Sequence, residues 1–135
     1  MYRKVLVPIL FDDTHNSERA IAAAGALRDE DGEIVLLHVI EELPDYGVPR
    51  VPAEYLDMAR QAITAELAEL AEKTPGATGK LVEGHAGRTI VEWAQTHDVD
   101  CIVIASHRPG LKDYFLGSTA SRVVRHAPCS VHVVR

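Results

Sequence analysis

Five short apolar runs punctuate the chain: KVLVPIL at residues 4–10, EIVLLHVI at 33–40, GKLVE at 79–83, CIVIAS at 101–106 and CSVHVVR at 129–135. The first, second and fourth are nearly continuous in apolar character, as expected of parallel strands covered on both faces. The last alternates, which suggests an edge strand. Helical patterns separate the runs. Asn16 or Ser17 is placed to cap a helix with Ala20, Ile21, Ala24 and Leu27 on one face, stopped by the Asp31-Gly32 turn. A long second helix opens near Pro52, carries Leu56, Ile63, Leu67 and Leu70 as a stripe, and ends before Pro75-Gly76. A third carries Ile90, Val91 and Ala94, and a fourth Ala120, Val123 and Val124 before Pro128. The segment at residues 41–52 reads as a loop.

Strict β-α-β alternation with right-handed crossovers predicts an α/β fold: an open five-stranded parallel sheet, doubly wound by helices. No internal repeat or linker interrupts it, so residues 1–135 are expected to form a single domain. An aromatic share of only 5% agrees, since the core must then be aliphatic.

A net charge of -6 disfavours a nucleic-acid partner, because polyanion binding needs a basic face. Arg3 and Lys4 precede only six apolar residues, too few for a signal core or a membrane span. The expectation is a cytoplasmic protein without membrane insertion, with Cys101 and Cys129 kept reduced as small core residues.

In an open doubly wound sheet, ligands gather beyond the carboxyl ends of the strands where the strand order reverses. The informative loops therefore follow the first and fourth strands, LFDDTHN at 10–16 and SHRPGLKDYFL at 106–116. The latter leads into Gly117-Ser118-Thr119 at a helix start, with His107, Arg108 and Lys112 upstream. Helix-start amides, two hydroxyls and nearby cations make an anion cradle. An ordinary helix start capped by Ser118 fits the same residues. The chain lacks G-x-x-x-x-G-K-[ST] and a strand-linked G-x-G-x-x-G, so neither a P-loop nor a dinucleotide fingerprint is present. His126, Cys129 and His132 spell H-x2-C-x2-H, but strand alternation sets Cys129 and His132 on opposite faces, against a metal site. No G-x-S-x-G elbow appears. His38 reads as a core histidine, Trp93 as a space-filling residue, and Gly84 and Gly87 as the turn into the third helix.

KVLVPI, LLHVI, CIVIASHRP and the tail LGSTASRVVRHAPCSVHVV closely resemble the universal stress protein family along the whole chain, in a branch with an ASHRP…LGS loop. The resemblance implies an adenine nucleotide alpha-hydrolase-like, Rossmann-like sheet with strand order 3-2-1-4-5. It implies binding of ATP, or of ADP or AMP, with Mg²⁺ accompanying the phosphates. Nucleotide-binding members carry G-x2-G-x9-G-[ST]; here Ala105 and Arg108 stand at the first two glycines, and eight residues precede Gly117-Ser118. Arg108 offers phosphate a planar fork that glycine lacks. The family's P-x-D is also altered, because Pro8 is followed by Ile9 and Leu10, while Asp13 reads as a helix-start residue. By the same resemblance adenine lies against backbone groups near Val39, with Pro8 shaping the wall. The expected nucleotide site is thus Pro8, Ile9, Leu10, Val39, Ala105, Ser106, His107, Arg108, Gly117, Ser118 and Thr119. A homodimer is implied through strand five, between Ser130 and Arg135, along with a stress-response role toward an unknown protein partner. The reading is of a regulatory binder more than an enzyme. The rivals are a nucleotide-free dimerisation module and a slow ATPase or self-phosphorylating protein using Ser118 or Thr119.

Overall fold

The computed structural model describes residues 1–11, 14–41, 52–106 and 116–135, with backbone alone at 14 and 15. His107, Arg108, Asp13 and most of the 41–52 loop lie outside the described residues. The elements alternate as expected: β1 (Tyr2–Pro8), α1 (Thr14–Leu27), β2 (Arg28–Ile40), α2 (Ala53–Glu72), β3 (Ala77–Glu83), α3 (Ala86–Thr96), β4 (Cys101–Ala105), α4 (Ser118–His126) and β5 (Ser130–Val134). All strand pairs are parallel and the order is β3-β2-β1-β4-β5. The three continuous apolar runs are the three central strands, and the alternating β5 is an edge.

Alternation along each strand splits the core into two layers. Val5, Val7, Leu36 and Val103 pack under α1 and α2 with Ala20, Ala24 and Leu67. Leu6, Val35, Leu37 and Ile104 pack on the other face with Ile90, Ala94, Ala120 and Val123 from α3 and α4. Trp93, in the second layer, stacks on His97 with ring centroids 3.8 Å apart.

Several local expectations are corrected. Helix α1 begins at Thr14, so Asn16 and Ser17 lie in its first turn; the Ser17 hydroxyl donates to the Leu10 carbonyl at 3.2 Å instead of capping. Nor does Asp31-Gly32 stop this helix, which ends at Leu27. Strand β2 starts there, and its register with β1 passes from Tyr2↔Arg28 to Lys4↔Glu33, a bulge on β2. Arg28 holds the bulge together, its Nη1 donating to the carbonyls of Glu30 at 3.1 Å and Gly32 at 2.8 Å. Residue 32 must be glycine because a Cβ would lie 2.9 Å from the Tyr2 carbonyl oxygen. On α2 the packed stripe begins at Ile63, since Leu56 is 46% exposed. Gly84 makes the turn into α3 with φ +145°, whereas Gly87 lies inside α3, where the Arg122 stem of α4 crosses it.

Candidate functional site

Where β1 and β4 diverge at their carboxyl ends, a cavity of about 410 Å³ opens. Such a volume suits a small organic ligand. Its walls come from Pro8 at the end of β1 with Ile9 and Leu10 after it, Leu37 and Val39 of β2, Ile104 and Ala105 of β4 with Ser106 after it, and the starts of three helices. The expected residues Pro8, Ile9, Leu10, Val39, Ala105, Ser106, Gly117, Ser118 and Thr119 are brought together here. Sequence reasoning missed Leu37 and Ile104 on the strands, and Asn16, Ser17, Ala20, Ala86, Ile90 and Ala120 on the helices, as lining residues. The signal was available in part: in a parallel sheet each helix that follows a strand starts at the carboxyl end, so its first turn faces the crevice.

Three backbone hydrogen bonds shape the rim. The Ile9 amide donates to the Leu37 carbonyl at 2.8 Å, extending the sheet past β1. The Ser106 amide donates to the Val134 carbonyl at 2.9 Å, and the Ser106 carbonyl accepts from the Gly117 amide at 2.6 Å. Ser106 is buried and thereby ties β5 to the start of α4.

Gly117 is the N-cap of α4, with φ −62° and ψ 161°, and its carbonyl accepts the first helical bond from Ser121 at 2.9 Å. Ser118 is therefore the first helical residue and not the cap. The amides of Ser118, Thr119 and Ala120 precede the first intrahelical donor, and all three residues line the cavity. Helix α1 presents Asn16 and Ser17, and α3 presents Ala86, at the same place. Three helix N-termini converge, and their aligned peptide dipoles favour negative charge. The opposing wall of Ile9, Leu10 and Leu37 is apolar, so the cavity sets an electropositive rim against an apolar wall.

An open parallel sheet with its crevice at the strand-order reversal and helix starts on the rim defines a doubly wound α/β protein. The universal stress protein family matches residues 1–135, and the chain belongs to that family. It is 31% identical to universal stress protein G of Salmonella typhimurium, covering all of both chains. Among solved structures it is similar to universal stress protein UspA from Lactobacillus plantarum, with a TM-score of 0.72 at 26% identity over 99% of this chain and 98% of that one. A universal stress protein solved in complex with cAMP shares the fold, with a TM-score of 0.70 at 22% identity over 99% of this chain and 97% of the other. Among the described residues no helix is long and apolar enough to cross a membrane.

Proposed function

We propose that the crevice binds ATP or a related adenine nucleotide, with phosphates at the start of α4 and the base at the end of β2, and that occupancy sets the state of a cytoplasmic stress-response module. The observation that carries this reading is the meeting of the first-turn amides of α4 with the Val39 end of β2 in one cavity. Phosphate oxygens would be met by the amides and hydroxyls of Ser118 and Thr119, with His107 and Arg108 as added donors. Leu10 makes the sugar side of the cavity apolar, so affinity rests on the two ends of the ligand. The relative solved with cAMP supports an adenine nucleotide as the ligand class. Mg²⁺ finds no carboxylate among the described lining residues, so it would travel with the phosphates and its water shell. Partner recognition would follow from a nucleotide that binds one state of the 107–116 segment better than another. A homodimer through the outer edge of β5 completes the reading.

Calorimetric titration with ATP and Mg²⁺ tests the proposal. The expected dissociation constant is on the order of 1–100 μM. Gly117→Val should weaken binding by about tenfold or more, because the N-cap backbone admits an L residue while the branched side chain crowds the rim. The melting temperature should change little. No heat at millimolar ATP, with native mass spectrometry showing a ligand-free dimer, would overturn nucleotide binding and favour the dimerisation module.

A further inference from the structure

Strands β1 and β2 stay in register from Lys4↔Glu33 to Pro8↔Leu37, after which the Ile9 amide donates to the Leu37 carbonyl. Among the described residues that bond is the last backbone rung between the two strands. Continuing the ladder would pair the Val39 amide with the Ile9 carbonyl. Val39 lies two positions beyond Leu37, so its amide and carbonyl turn to the same side of β2. The Ile9 carbonyl is instead engaged by the His38 imidazole, with Nδ1 at 2.7 Å. Because a carbonyl only accepts, Nδ1 carries the proton. The Phe11 ring packs on this imidazole, with centroids 4.9 Å apart. His38 alternates with Leu37 and Val39, which line the cavity, so its side chain draws the carbonyl oxygen toward the opposite face of the sheet.

We propose that His38 is a positioning residue of the crevice: by holding the Ile9 carbonyl it ends the β1–β2 ladder one rung early and leaves the Val39 amide and carbonyl to read the edge of a planar heterocycle. Adenine offers a ring-nitrogen acceptor beside an amino donor, the complement of that backbone pair. Hypoxanthine reverses both groups and is rejected. The inference rests on the nucleotide reading above, which it deepens.

Amide exchange by NMR and calorimetry on the full chain separate the two ideas. In the wild type the Val39 amide is expected to exchange fast without ligand and slowly with ATP, while ITP binds about tenfold more weakly than ATP. In His38→Leu the ladder closes: the Val39 amide is protected without ligand, and ATP affinity drops about tenfold. His38→Asn sets a side-chain N–H at the place of Nδ1 and restores both, which a merely space-filling histidine would not require. Should His38→Leu fail to fold, the wild-type exchange and the Asn variant decide. A Val39 amide already protected in the ligand-free wild type, or unaltered exchange and affinity in His38→Leu, overturns the inference. If the wild type binds no ATP yet the Val39 amide becomes protected in His38→Leu, the nucleotide reading falls and the positioning role stands.

Discussion

Cys101 opens β4 at 1% exposure, packed with Val5 and Val103, while Cys129 lies half-buried in the layer on the other side of the sheet. Burial pushes the Cys101 thiol up to about 11, with the nearby Cys129 and Asp100 adding to the effect and a backbone hydrogen bond from His132 opposing it. The ordinary value is 9.0, so between 9.0 and about 11 the unfolded chain loses a proton that the folded chain keeps. Stability is therefore fully present below that window and falls as pH rises through it. Urea midpoints measured across the window should decline in the wild type and decline less in Cys101→Ala. In the native protein at neutral pH, Cys101 should stay unlabelled by a thiol reagent that reacts with it freely after denaturation. At this scale the sequence was only partly readable. The burial of Cys101 follows from its place in an apolar run, but the His38 contact with Ile9 joins residues far apart in the chain and exists only once β1 and β2 are paired.

Elements were the most legible level, because apolar continuity separates covered strands from edges without reference to any particular partner. The central trio β2, β1 and β4, the edge position of β5 and the helix after each of the first four strands all follow from patterning. Boundaries did not, because they depend on contacts. The start of β2 at Arg28 is fixed by that guanidinium reaching the carbonyls of its own bulge, which no periodicity encodes. Helix α2 owes its placement on β3 to Gly79, where an added Cβ would lie 2.8 Å from the Cβ of Leu67 and 3.3 Å from its backbone. Leu67 is buried and its backbone cannot step aside cheaply, so Gly79→Ala should cost about 1–3 kcal/mol in urea unfolding. Gly25→Ala is the control: nothing lies within 4 Å of its added Cβ, and an exposed helical glycine replaced by alanine should stabilise by about 0.5–1 kcal/mol.

For the molecule as a whole, the candidate crevice was legible because topology decides it: any chain with this strand order opens where β1 and β4 part. Which side chains close its walls was less so, since Ala86 and Ile90 arrive through the Gly84 turn and not through proximity in sequence. The β5 edge carries a prediction of its own. The Val134 carbonyl faces β4, where it meets the Ser106 amide, so the backbone groups of Val133 point outward along the free edge. Val133→Pro therefore removes no β4–β5 hydrogen bond, and sedimentation should find a wild-type dimer reduced to monomers. A variant that stays dimeric would move the interface away from this strand. Ser106 gives that edge a further meaning. One residue is riveted at its amide to the sheet's border and at its carbonyl to the collar of α4, so collar and border are joined across a single φ/ψ pair, the shortest flexible link a chain allows.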